Sequence, residues 1–283
     1  MPHFADMLCD AIRAVGSPVC VGLDPVLESL PAQCKDAADA PTAIERFSIG
    51  VVAAVAGVVA AVKFQSACFE RYGSLGVAAM ERSIAHARSR GVIVVLDAKR
   101  GDIGISASHY AAGAVAMGVH CVTVNGYLGM SGVEPFLAAG LGVFVLVRTS
   151  NPDSDAVQSP RLGDGRSVAE LVADQVASLG DKHIGVSGLS AAGAVVGATK
   201  SADGLALRAR MPRQIFLVPG YGAQGGTADD IRALLTPGGG GVLVTASRSV
   251  IYAKPDAAEA WQATVHHAAK SFAAEIAGVT HAA

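Results

Sequence analysis

The chain has 283 residues, of which 51% are hydrophobic, 16% charged and 5% aromatic, with 33 glycines and a formal net charge of −2 at pH 7. That much small apolar side chain excludes disorder, because there is ample surface to bury against the entropy of folding; the length suits one β/α barrel domain over residues 1–283. The near-neutral charge, with no Lys/Arg stripe interleaved with aromatics, excludes a general nucleic-acid binder and still leaves room for a small anionic ligand.

Residues 4–15 read as a helix placed to plug the bottom of a barrel, and Asp6 and Asp10 break any continuous apolar run of a secretory signal. Short β-branched runs follow at 19–23, 60–64, 92–96, 119–124, 143–147, 194–197, 215–218 and 242–245. Helical patterns lie between them at 42–58, 75–90, 106–117, 168–179 and 227–235. Strands alternating with helices predict right-handed βαβ units and a parallel sheet. Eight of them favour an α/β fold closed as a (β/α)8 TIM barrel over an open, doubly wound sheet.

Residues 49–62 carry no charge. The run is shorter than the roughly 20 apolar residues a membrane span needs and is rich in Ala and Gly, so it reads as a buried helix entering a strand, with no membrane association. The irregular stretch 149–166 has the length of an active-site lid. Residues 256–276 read as a final covering helix, with Trp261 as its packing anchor. Five scattered cysteines, Cys9, Cys20, Cys34, Cys68 and Cys121, form no CxxC pair and fit reduced thiols in the cytoplasm. His109, His120, His183, His266 and His267 fall in no metal-binding pattern, so no metal is expected.

In such a barrel the chemistry collects at the C-terminal ends of the strands. There the first strand ends in Asp24, the second in Lys63, and the third in Asp97 and Lys99 with Asp102 on the following loop. The fifth runs into Arg148-Thr-Ser150, the seventh into Pro219–Gly226 and the eighth into Ser247-Arg248. Asp97 and Lys99 are two apart and project to one side of a strand. With Lys63 and Asp102 they give two ammonium groups alternating with two carboxylates. Each opposite pair near 4 Å is worth on the order of 4 kcal/mol at an effective dielectric of about 20, enough to keep all of them ionised against burial. The plain alternative is an ion-pair network that only fixes the barrel, a task apolar packing does as well. The glycines of the seventh strand's loop permit close backbone approach, Thr227 opens a helix whose N-terminus suits an anion, and Arg248 adds a bidentate phosphate contact. The glycines at 238–241 lie on the opposite rim and read as a flexible connection.

Asp97-Ala-Lys99-Arg-Gly-Asp102-Ile103-Gly resembles the signature of the orotidine 5′-monophosphate decarboxylase family, especially its longer bacterial branch. The likeness spans nearly the whole chain: Val21-Gly-Leu-Asp24-Pro, Val62-Lys63-Phe-Gln-Ser-Ala-Cys-Phe-Glu, Val147-Arg-Thr-Ser150-Asn-Pro, Val218-Pro-Gly-Tyr-Gly-Ala-Gln224-Gly-Gly and Ala246-Ser-Arg248. The resemblance implies a cofactor-free and metal-free lyase making uridine 5′-phosphate, the last step of de novo UMP synthesis. It assigns proton delivery to Lys99, the place beside the substrate carboxylate to Asp97, a bridge to the ribose to Lys63 and a ribose hydroxyl to Asp24. Asp102, Ile103 and Ser106 are implied to complete the partner's site in a homodimer. Ser150 is implied to meet the pyrimidine, Gln224 and Arg248 to grip the phosphate, and Pro219 and Gly225 to bind the substrate. Two residues depart from relatives: Ser106 stands where shorter ones often have Thr, and Phe64 where long-branch ones often have Pro. Three rivals stay open: a magnesium-dependent sugar-phosphate decarboxylase on the same barrel, a Schiff-base aldolase using Lys63 or Lys99, and a non-catalytic phosphate-binding barrel.

Overall fold

The computed structural model describes residues 2–222, 225–254 and 260–281. Its strands are β1 (Val19–Leu23), β2 (Ala61–Gln65), β3 (Ile93–Arg100), β4 (Cys121–Val124), β5 (Gly142–Arg148), β6 (Ser190–Val196), β7 (Gln214–Pro219) and β8 (Val242–Ala246). All are parallel and pair in chain order, and β8 closes on β1, Val19 beside Val244. The expected (β/α)8 barrel is what forms. Strands such as Val19–Leu23 and Ser190–Val196 are buried at every position. One face fills the barrel and the other is covered by helices, which is why they read as unbroken apolar runs.

The helices used below are α1 (Phe4–Val15), α2 (Ala40–Val55), α3 (Gly73–Ser89), α4 (Gly104–Met117), α5 (Val168–Gly180), α6 (Ser201–Arg210), α7 (Ala228–Ala233) and α8 (Trp261–His281). The first of them plugs the barrel bottom, as expected. Phe4 meets Phe144 edge-on at 5.9 Å, and it lies so close to Gly142 that a Cβ there would stand 2.1 Å from its ring. Asp6 then accepts the N–H groups of Val186 and Ser187, tying α1 to the chain entering β6. Trp261 anchors α8 by stacking on Phe47 of α2 at 5.4 Å. Gly50 makes room for it, since a Cβ there would stand 2.4 Å from the indole.

Residues 49–62 divide into the end of α2, a turn and the start of β2. Among the described residues no helix is long and apolar enough to cross a membrane. Phe64 is fully buried and packs against Phe69 at 6.0 Å. It faces the helical layer, while Lys63 and Gln65 on either side face the cavity. The departure at Phe64 therefore changes packing behind the strand and removes nothing from the site.

Several elements differ from expectation, β6 beginning at Ser190 instead of Ala194 and a short helix forming over Glu134–Ala138. Helix α6 falls where only a connection is predicted, and β3 continues four residues beyond Leu96 to Arg100. Against β4, Leu96 pairs with Val122 and Arg100 with Val124, so the strand bulges through Asp97, Ala98 and Lys99. At the bulge Lys99 has φ 45°, and among the described residues it is the non-glycine residue with positive φ. Such a backbone costs about 1–3 kcal/mol and marks functional sites more often than structural ones.

Candidate active site

A cavity of about 600 Å³ opens at the C-terminal rim of the barrel. Strand alternation delivers its lining: Lys63 and Gln65 from β2, Asp97 and Lys99 from β3, Thr123 from β4, Leu146 from β5, Val195 from β6, Leu217 and Pro219 from β7 and Thr245 from β8. Asp24 follows β1, beside Lys63 of β2 and Asp97 and Lys99 of β3, the apolar residues come from β5–β7, and Arg248 follows β8, which pairs with β1.

The charges form a chain. Lys63 Nζ donates to Asp97 Oδ2 at 2.8 Å and lies 3.6 Å from Asp24 Oδ1. Lys99 Nζ donates to Asp97 Oδ1 at 2.7 Å. Thr123 Oγ1 donates to the same oxygen at 2.8 Å and accepts the Lys99 backbone N–H at 2.9 Å. Thr123 thus satisfies the amide that the bulge removes from the ladder and orients the carboxylate that the bulge presents. Gln65 Nε2 approaches Asp97 Oδ2 at 3.4 Å. Burial opposes ionisation of Asp97, yet Lys63 and Lys99 outweigh it and hold the carboxyl at about 2. Burial likewise works against the Lys63 ammonium, and Asp24 and Asp97 overcome it and raise its pKa.

That depression fixes a pH dependence. The folded pKa of Asp97, about 2, lies below an unfolded value near 3.9. The carboxylate therefore contributes its stabilisation above about pH 4 and loses it as the pH falls through about 2. Asp97→Asn is expected to cost on the order of 2 kcal/mol in urea unfolding at about pH 6, with the gap to the parent narrowing below about pH 4. A gap that stays constant with pH would contradict the charge chain.

Lys63 stands between Asp97, at 2.8 Å, and Asp24, at 3.6 Å. Among the described residues no three His, Cys, Asp or Glu side chains stand together in a metal-holding group.

Comparison with known proteins settles the lineage. The sequence matches the Orotidine 5'-phosphate decarboxylase / HUMPS family over residues 17–264. The chain belongs to that family. Relatives named orotidine 5'-phosphate decarboxylase include one from Rhodopirellula baltica, 40% identical over 271 residues and 89% of each chain. Another, from Salinispora tropica, is 43% identical over 254 residues, covering 86% of this chain and 89% of its own. The solved structure of Leishmania donovani OMP decarboxylase superposes with a TM-score of 0.82 at 33% identity, over 99% of this chain and all of its own.

The residues that the family pattern implicates divide into three groups. Asp24, Lys63, Asp97, Lys99, Ser150, Pro219 and Arg248 line the one cavity. Asp102, Ile103 and Ser106 do not: the Asp102 carboxylate accepts the Ile103 N–H at 2.8 Å, and Ile103 is 59% exposed. Within one chain the fourth charge is therefore Asp24, and the alternating set built on Asp102 does not form. Gln224 lies outside the described residues, and Gly225, at φ 93°, takes a backbone that suits glycine without itself lining the cavity.

The helix N-terminus expected to suit an anion is partly occupied by its own side chains. The N-terminus of α7 is closed by its own capping box, with Thr227 Oγ1 accepting from Asp230 N–H and Asp230 accepting from Thr227 N–H. Asp229 and Asp230 in that first turn oppose a second negative charge. Besides Lys63 and Lys99, the cation lining the cavity among the described residues is Arg248, with Ser247 beside it. Sequence reasoning overlooked Gln65 and Thr123. Both occupy inward positions at strand ends, and the alternation that found Lys63 and Asp97 reaches them too.

Proposed function

We propose that the protein decarboxylates orotidine 5′-phosphate to uridine 5′-phosphate and carbon dioxide, with neither metal nor organic cofactor, as one domain working in the last step of de novo UMP synthesis. The observation that carries this is Asp97 held between two ammonium groups, Lys63 at 2.8 Å and Lys99 at 2.7 Å, in a cavity that Arg248 also lines. Departure of carbon dioxide breaks the C6–carboxylate bond and leaves its electron pair on C6, in the plane of the ring. Lys99 protonates that carbon and is reprotonated from solvent. Asp97 lies against the substrate carboxylate, where its fixed charge disfavours the ground state, and the same charge keeps Lys99 aimed. A cationic group set in advance at the developing carbanion stabilises the transition state without reorganisation.

Around this centre, Lys63 bridges Asp97 and the ribose, Asp24 takes a ribose hydroxyl, Ser150 meets the pyrimidine, and Arg248, with Gln224, grips the phosphate. Binding energy from the remote phosphate positions the ring. A Schiff-base chemistry at Lys63 needs a neutral amine, and its two carboxylate neighbours favour the charged form. The test is the ultraviolet assay on orotidine 5′-phosphate in excess chelator. Full turnover is expected, and loss of activity that magnesium restores would favour a metal-dependent sugar-phosphate decarboxylase instead.

The site is completed by a second copy. Asp102 sits outside its own cavity, at a corner where Ile103, Ile105 and Tyr110 are 59%, 74% and 42% exposed and neighbouring Tyr127 and Leu128 are 85% and 52% exposed. An apolar surface of that kind beside a charged group suits a subunit interface, and the homodimer places Asp102, Ile103 and Ser106 at the partner's substrate. The five free thiols fit a cytoplasmic enzyme.

A further inference from the structure

Arg148 is the last residue of β5 and is 4% exposed, yet it does not line the cavity. Its Nε donates to Asp203 Oδ2 at 2.6 Å, and its Nη2 lies 2.7 Å from Asp155 Oδ1. Nη1 reaches Ser154 Oγ at 3.3 Å. Asp155 also receives Lys200 Nζ at 2.6 Å. Ser154 and Asp155 belong to the segment that follows β5, whereas Lys200 and Asp203 belong to the corner that follows β6. Two cations and two carboxylates therefore tie neighbouring corners of the barrel rim together.

A steric contact sets the height of the same segment. Gly197 lies under Ser150, so that a Cβ there would stand 2.9 Å from Ser150 Cβ and 3.0 Å from its backbone nitrogen. At the preceding residue, Gln158 Oε1 accepts the Thr149 N–H at 2.9 Å, and Gln158 Nε2 donates to Thr149 Oγ1 at 3.0 Å. The backbone at Thr149 and Ser150 is thus held by Gln158 and Gly197 while Ser150 lines the cavity. Of the charged groups in this cluster only Arg148 is buried, and half-exposed carboxylates give ion pairs that solvent screens and that add little stability. What a guanidinium fork supplies is direction, because its planar donors hold two carboxylates at fixed angles.

We propose that Arg148, with Asp203 and Asp155 as its counter-charges, is a positioning residue that sets where Ser150 meets the pyrimidine. The proposal rests on the reading of Ser150 given above. It is tested by kcat/KM of Ser150→Ala, Asp203→Ala and the double variant, each checked for fold by circular dichroism. Misplacement on the scale of an ångström costs up to about a hundredfold, and Asp203→Ala is expected to lose at least roughly tenfold. Acting through Ser150, it should add almost nothing on the Ser150→Ala background. Losses that simply multiply, or an Asp203→Ala enzyme of undiminished kcat/KM, overturn the proposal while leaving Ser150 in its role. Wild-type values for Ser150→Ala overturn the reading of Ser150 and the proposal with it. Asp155→Ala, which removes the other counter-charge, gives the same answer should Asp203→Ala misfold.

Discussion

Lys99→Ala and Lys99→Gly are both expected to lose turnover by roughly 10⁴-fold or more while their melting temperatures stay within a few degrees of the parent. Two local facts make activity and stability separable here. The Lys99 side chain is 46% exposed, so its ion pair with Asp97 is screened and contributes about 0–1 kcal/mol to folding. Its backbone, at φ 45°, carries a left-handed strain of about 1–2 kcal/mol that only glycine avoids. Glycine removes the strain and loses about 0.5–1 kcal/mol in chain entropy, so the glycine variant should melt no lower than the alanine one. The Thr123 hydroxyl still accepts the backbone N–H at position 99 in either variant, because that bond involves no Lys99 side-chain atom. Steady-state decarboxylation and thermal melts of both variants check this. Rates near the parent's would remove Lys99 as the proton donor. A collapse in stability that accompanies the loss of activity would mean that Lys99 holds the strand end together.

The strands are legible because parallel strands buried on both faces must be apolar throughout, and Val143, Phe144 and Val145 leave no other reading. Helix α6 is hidden by Arg208, which is 6% exposed and takes a core position. Its guanidinium donates to the carbonyls of Leu234, Met211, Gln214 and Gly241 and lies 3.5 Å from the Phe216 ring centroid. A charge serving as a core residue breaks the apolar period by which helices are recognised. The pairing of Asp97 with Lys99 is predicted from simple alternation and is observed, but a bulge produces it, and the bulge depends on a hydroxyl supplied by β4. No local pattern in β3 announces Thr123. By contrast, the cap of α7 is readable locally: Thr227-Ala-Asp-Asp230 is itself a capping-box pattern, in which Thr227 and Asp230 satisfy each other's N–H groups. Which subunit receives Asp102 is not a local property, since spacing along one chain cannot say on which side of a symmetry axis a loop acts.

That last ambiguity is resolved by mixing two inactive enzymes. Lys99 is bound to Asp97 of its own chain at 2.7 Å and lines its own cavity, whereas Asp102 lines no part of that cavity. If Asp102 serves the partner, Lys99→Ala and Asp102→Ala homodimers each lack one component at both sites. A mixed dimer then has one site with neither component and one site with both. Random exchange of equal amounts makes about half the dimers mixed, so about a quarter of all sites are whole and activity should rise to about a quarter of the parent's. Were Asp102 to act within its own chain, every site in the mixed dimer would still lack one group, and exchange would restore nothing. The measurement is activity against time after mixing, with subunit exchange followed independently by native mass spectrometry on a mass-tagged chain. Exchange without recovery would return Asp102 to its own subunit and require the loop after β3 to fold inward onto Lys99. Recovery that tracks exchange would make the dimer the smallest complete catalyst, with each barrel lending its neighbour the carboxylate that its own mouth lacks.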